Sequence, residues 1–159
     1  MRRSALGQSI FFLCSLVVLL WTVSAEAVEI TIPPLTAKSG QPIEIPIMID
    51  EIDNLAGVKL VLTYDPEILI FKSGMKTKQT DSLMHIVNDK KPGLLIVVMA
   101  GAKGIKGKAF PIFTLTFEAK KGLTESRITK VSITESQLMG DDLKERKATI
   151  NSHPITILP

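Results

Sequence analysis

The sequence has 159 residues, with 19 Lys and Arg against 16 Asp and Glu, a formal charge of +3 and 45% hydrophobic residues. That length bounds the chain to one ordinary domain with enough residues to bury a sizeable core. The small lysine excess is not the clustered basic face that DNA or RNA binding requires, so the expected partners exclude nucleic acid.

The N-terminus is read first. Arg2 and Arg3 precede an apolar stretch from Ile10 to Val23, and Ser24-Ala25-Glu26-Ala27 offers small residues in an A-x-A arrangement. Charge, apolar core and small-residue site in that order predict a secretory signal over residues 1–27, cut after Ala27. A retained anchor would need roughly 20 apolar residues to span a bilayer, and this stretch is shorter. Phe11-Phe12-Leu13 before Cys14 also lacks the small residues expected ahead of a lipidated cysteine. The expected product is a secreted domain of residues 28–159, extracellular or periplasmic, with no membrane attachment after cleavage. Cys14 and Trp21 are the sole residues of their kinds. The processed domain therefore has no disulfide, no thiol nucleophile and no thiolate metal site, and its core alone must hold it.

From Val28 the pattern has a period of two, the signature of strands with one buried face. Val28, Ile30 and Ile32 alternate with polar residues until Pro33-Pro34 ends the run. Ile43, Ile45, Ile47 and Ile49 line one face of the next strand, and Pro46, which cannot donate to a ladder, predicts an edge position or a bulge there. Val58, Leu60, Leu62 and Tyr64 follow, stopped by Asp65-Pro66. Further strands fit Ile68–Lys72, Leu83–Asn88, Leu94–Ala100, Phe110–Ala119 (with Phe113, Leu115 and Phe117 on one face), Ile128–Ile133 and Ile155–Leu158. Lys38-Ser39-Gly40, Pro92-Gly93 and Lys121-Gly122 are turn signals between them. Nine short strands so punctuated predict an all-β domain, a β-sandwich. Gly140 and Asp141-Asp142 interrupt the helix formers of Ser136–Lys147, so at most one helical turn is expected there or after Asp65-Pro66.

Catalytic and metal chemistry is poorly supplied. His85 and His153 are the two histidines; His85 lies near Asp81 and Ser82, but adjacent strand positions face opposite ways and no nucleophile-elbow pattern is present. The acidic groups at Asp50-Glu51-Ile52-Asp53-Asn54 and Asp141-Asp142 offer oxygen ligands for calcium, yet neither has the spacing of a calcium loop. No metal site and no enzymatic activity are expected. Gly101–Lys108 fails the phosphate-loop spacing and reads as a flexible basic hairpin loop.

The informative run is Leu94-Leu95-Ile96-Val97-Val98-Met99-Ala100, apolar on both faces where a sandwich strand ordinarily shows one face to water. Either other parts of the chain cover its outer face, or the sheet carries an apolar patch of the kind that binds a partner. Val61, outward by alternation, extends that patch, and Lys59 and Lys103 would rim it.

These landmarks together resemble cohesin domains, the modules that hold dockerin-bearing proteins in cellulosomes and related assemblies of polysaccharide catabolism. The resemblance rests on Gly40 before the Ile43–Ile49 strand with its Pro46 and on Asn54-Leu55-Ala56-Gly57 leading into Lys59–Tyr64. It rests also on the Tyr64-Asp65-Pro66 turn with Ile68-Leu69, and on the late strands at Phe113–Phe117 and Ile155–Leu158. It spans roughly residues 28–158 and implies a nine-stranded β-sandwich with jelly-roll topology. It also implies a non-catalytic module that docks a dockerin-bearing partner on one sheet face, with any calcium held by the partner and no cofactor of its own. The family's binding positions fall here on Gly57, Lys59, Asn88, Ile96, Val98 and Gly101, with Val61 beside them. Asn and Asp, common in the family where Gly57 and Lys59 stand, are replaced, as is an acidic residue near Gly101. The alternative is a carbohydrate-binding module on a similar scaffold, with weak sugar binding. It would need exposed aromatic faces, and alternation turns Tyr64, Phe113 and Phe117 inward, leaving Phe71 and Phe110 as candidates.

Overall fold

The structure is a computed structural model that describes residues 27–159; the predicted signal, with Cys14 and Trp21, lies outside the described residues. Eleven strands follow Ala27: β1 Val28–Ile32, β2 Leu35–Lys38, β3 Pro42–Thr63, β4 Leu69–Lys76, β5 Met84–Asn88, β6 Leu94–Ala119, β7 Arg127–Thr129, β8 Ser132–Met139, β9 Glu145–Arg146, β10 Ala148–Ser152 and β11 Ile155–Leu158. The helical content of the described residues is one 3-10 turn, Lys78–Thr80. The expected β-sandwich with jelly-roll topology is present, but its strands are divided differently from the nine expected.

Two of them are very long. At roughly 3.3 Å per residue, 26 residues laid straight would run about 85 Å, far beyond a domain of this size. Instead β3 and β6 pair antiparallel along their length and bend together, so each contributes to both layers. Their first-half/second-half pairing, Pro42–Ile52 with Gly107–Glu118, lies between β1 and β4, with β10 beyond β1. The other pairing, Gly57–Thr63 with Leu94–Ala100, lies between β8 and β5. A separate sheet of β2, β11 and β7 places Ile155 and Ile157 in the same core.

Gly101–Lys108 is therefore not a hairpin loop. It is the bend of β6, still paired to β3 through Leu55–Ile105, Ile52–Gly107 and Glu51–Lys108. Register shifts on either side of Leu55 absorb the change of direction, as bulges do where a sheet must curl. Gly104 has a steric reason to be glycine: a Cβ there would overlap the side-chain oxygen of Asn54.

The four isoleucines of the Ile43–Ile49 run are buried, as alternation predicts. Pro46 is not on an edge strand, because β3 runs between β1 and β6. The bulge alternative is nearer: a register shift falls between Ile47 and Met48, and the bridges to β1 start at Met48. Pro46 thus sits beyond the stretch of β3 that β1 pairs.

That bulge also corrects the placement of Phe110. Counting by twos from Phe113 would point it outward. The extra residue at Pro111–Ile112 reverses the parity, so Phe110 stands opposite buried Ile49 and is itself buried. Phe71 is half-buried, edge-on to Phe117 at 5.5 Å, and Tyr64 meets the same ring at 5.0 Å. The 3-10 turn seals the bulge: buried Thr80 donates its hydroxyl to the Ile112 carbonyl at 2.9 Å, which removes the cost of an unpaired buried group.

Candidate partner-binding surface

Val58, Leu60 and Leu62 of β3 and Leu95, Val97 and Met99 of β6 point into the core. Their neighbours must then point out, and the ladders put these in rows across four strands. Met139, Gly57, Ala100 and Met84 form one row. Gln137, Lys59, Val98 and Ile86 form the next, and Glu135, Val61, Ile96 and Asn88 the third. The middle of this face is apolar, and its β8 side and one β5 corner are polar.

It is not sealed by the rest of the molecule. Val98 is 40% exposed, Ile86 69% and Met84 77%, while Ile96 and Val61 are half-buried between their neighbours. The doubly apolar run of β6 thus has one face in the core and one on the surface. Lys59 reaches Glu135 at 3.7 Å on the rim, an exposed pair that holds little energy but sets polarity.

Of the residues expected to bind, Gly57, Lys59, Val61, Asn88, Ile96 and Val98 share this face. Gly101 does not. It has inward parity, and a Cβ there would run into buried Leu83; its backbone alone borders the surface. Lys103 lies out on the bend. Met84, Ile86, Glu135 and Gln137 were not anticipated. Alternation of Met84, Ile86 and Asn88 with Val87 was visible in the sequence, but both faces of that strand carry apolar residues and its outer one could not be chosen.

At the Gly57 end the face runs into a shallow open cleft of about 290 Å³, lined by Ala56, Gly57, Gly101, Ala102, Met139 and Leu143 among others. Leu143 is 84% exposed and has φ +58°, a backbone region that branched and bulky side chains avoid. The turn that displays it is tied down. Asp141 accepts from the Asn54 amide at 2.6 Å and from the Gly104 N–H at 2.9 Å, and its own N–H donates to Asn54 at 3.0 Å. The Gly104 and Asn54 donors hold the Asp141 carboxyl below the ordinary aspartate range. Arg146 does the same for Asp142, across a 3.1 Å ion pair. These contacts join the β8–β9 turn to the bend of both long strands.

The other candidate chemistries are dispersed. His85 packs edge-on against Phe113 at 5.5 Å, and nearby Asp81 pairs with Lys76 at 3.7 Å. Asp50 accepts from the Glu29 N–H, while Asp141 and Asp142 are engaged as described. Among the described residues no three or more His, Cys, Asp or Glu side chains gather as a metal cage. Nor is any described helix long and apolar enough to cross a membrane.

Comparison with known proteins agrees with this architecture. The sequence matches the family described as "Cohesin domain" over residues 28–157. It is 24% identical over 139 residues to cellulose-binding protein A of Clostridium cellulovorans, covering 84% of this chain but 8% of that much longer protein. A non-cellulosomal cohesin from the archaeon Archaeoglobus fulgidus superposes with a TM-score of 0.72 at 17% identity, covering 84% of this chain and 92% of the other. The sixth cohesin of Acetivibrio cellulolyticus scaffoldin B, solved with a mutant Cel5 dockerin, gives 0.73 at 17% identity over 83% and 98%. A cohesin module from a family 33 glycoside hydrolase of Clostridium perfringens gives 0.69 at 15% over 83% and 96%. The match takes up nearly all of each of these solved chains. This chain belongs to the cohesin family.

Proposed function

We propose that this cohesin is a non-catalytic receptor that docks a dockerin-bearing partner on the outer face of the β8–β3–β6–β5 layer. The observation that carries the reading is the open apolar centre of Val61, Ile96, Val98 and Ile86, with Lys59, Glu135, Gln137 and Asn88 around it. An apolar middle inside a polar rim is the anatomy of a protein interface. Gly57 and Ala100, side by side in the ladder, let another backbone approach closely.

The polar anchors common elsewhere in the family are absent at Gly57 and Lys59, so affinity here depends on apolar packing more than on charged contacts. Any calcium in the complex belongs to the partner. Burial of Phe110 and the engagement of Tyr64 and Phe71 with Phe117 leave few aromatic faces for sugar stacking, which weighs against the carbohydrate-binding alternative. For secretion the support is the Arg2-to-Ala27 sequence pattern.

The test is titration calorimetry of residues 28–159 against dockerin modules from the same source, with calcium present. A complex is expected, and Val98→Lys should weaken it roughly 30-fold or more, the effect of losing a central anchor. Thr116→Lys, on the opposite layer, should leave affinity alone. If no dockerin binds, or if Val98→Lys binds as tightly as wild type, the reading fails.

A further inference from the structure

The strands at the sheet edges differ in how they refuse a neighbour. Exposed edges invite pairing with another chain, and proteins block them with charge, proline, bulges or brevity. Edge strand β4 carries Lys72, Lys76 and a register shift between Phe71 and Ser73. β9 is two charged residues, β7 begins with Arg127 and β2 ends with Lys38. β10 is uncharged, but Lys147 precedes it and Ile150 is half-buried.

β5 carries no charge, proline or bulge within its five residues, and the charges that flank it differ in sign at its two ends. Met84-His85-Ile86-Val87-Asn88 contains no lysine, arginine, acid or proline, and it pairs in unbroken register with β6 alone among the described strands. Its inner side touches the core edge, with exposed His85 edge-on to Phe113 and half-buried Val87 close to Gly74. The strand keeps regular register on one side and an open edge on the other, with Met84 and Ile86 exposed beside that edge.

We propose that this edge pairs with the β5 edge of a second copy, antiparallel about a two-fold axis at Ile86. The strand is complementary to itself in that direction. Ile86 faces Ile86, and Met84 faces Asn88. Asp81 precedes the strand and Lys90 and Lys91 follow it, so an antiparallel pair sets acid against base at both ends. A parallel pair would set like against like. Asp81 is largely exposed and its contact with Lys76 is long, 3.7 Å, leaving it able to share a second lysine. The axis stands perpendicular to the sheet, as an isologous contact of this kind requires. The layer then continues from one copy into the other, and the two outer faces lie side by side on the same side of the dimer. This pairing does not rest on the docking reading, but it would present two docking faces together and so favour partners with paired modules.

Sedimentation equilibrium of residues 28–159 over a wide concentration range tests it. The mass should rise with concentration towards twice the monomer. Ile86→Lys, which sets like charges on the axis, should give monomer throughout with an unchanged melting curve. Asp81→Lys should weaken the dimer several-fold, and Asp81→Lys combined with Lys91→Asp should restore it. Val98→Lys should not alter the mass. Wild type that stays monomeric at every concentration overturns the proposal, as does a dimer that survives Ile86→Lys. A dimer lost in Val98→Lys and indifferent to the charge exchange also overturns it, because the contact would then lie on the sheet face.

Discussion

The same two strands build both layers of this cohesin, yet their two halves finish differently. In the Pro42–Ile52 and Gly107–Glu118 half, the outward partners are Glu44 with Thr116, Pro46 with Thr114 and Pro42 with Glu118. Glu118 is further tied to Lys72 at 3.0 Å. In the Gly57–Thr63 and Leu94–Ala100 half, they are Gly57 with Ala100, Lys59 with Val98, Val61 with Ile96 and Thr63 with Leu94. The inward rows are apolar in both halves, with Phe110, Phe113 and Phe117 in the first and aliphatic side chains and Met99 in the second. One half therefore turns mostly polar residues outward and the other an apolar centre, and the difference lies in alternate residues of one ribbon.

If that division is correct, the two halves should respond alike to damage inside and unlike to damage outside. Ile45 and Leu60 are both fully buried, one in each half, within one continuous core. Ile45→Ala and Leu60→Ala should each cost about 2–5 kcal/mol in urea unfolding, the range for truncating a large aliphatic core residue. Both should melt in a single transition. Two separate transitions in either variant would mean that the halves are independent units, and the comparison would break.

A smaller effect separates display from stability on the second half alone. Leu143 holds a left-handed backbone that costs an ordinary L-residue roughly 1–2 kcal/mol, with its side chain almost wholly in water. Leu143→Gly should raise stability by about 1 kcal/mol. If the leucine closes the end of the docking face, the same change should weaken dockerin binding. Gain without loss would show that the cleft beside Gly57 takes no part.

How much of this was legible follows from the same contrast. The isoleucine run, the Tyr64-Asp65-Pro66 turn and the doubly apolar Leu94–Ala100 strand were readable because each is a local pattern. Phe110 was misread because a single inserted residue at Pro111–Ile112 inverts parity, and period counting does not register an insertion. β2 and β10 escaped notice because each is a short parallel neighbour of a strand remote in sequence, β11 and β1 respectively. Their hydrogen bonds come from that partner rather than from local propensity. Ser136–Lys147 has helix formers, yet its first residues extend β8 along β3, where the ladder outweighs weak intrinsic preference. On the candidate face, sequence named one side of β3 and β6 but could not say that β5 would bring Ile86 alongside Val98.

The smallest expected effect concerns the joint between the halves. Asp141 is charged, solvent-exposed and tied to Asn54 and Gly104, so its carboxyl is lowered by hydrogen bonds that only the folded chain makes. A group whose pKa is lower folded than unfolded stabilises the fold above its unfolded pKa, and that contribution is lost as pH falls through the folded value. The loss should begin near pH 4, the ordinary aspartate range. Glu67 and Glu118, lowered by Lys120 and Lys72, act in the same direction, so wild type should weaken in acid from several sources at once. Asp141→Asn removes one of them. Its melting temperature should sit slightly below wild type at pH 7 and converge with it as acid protonates the Asp141 carboxyl in the folded chain. Because the Asn54–Asp141–Gly104 tie fixes the turn that carries Leu143, the variant should also lose some dockerin affinity at pH 7 while the β1–β3–β6–β4 layer keeps its amide protection in hydrogen exchange. Equal loss of protection in both layers would show that the tie steadies the whole ribbon, and the joint would then have no special bearing on the binding half.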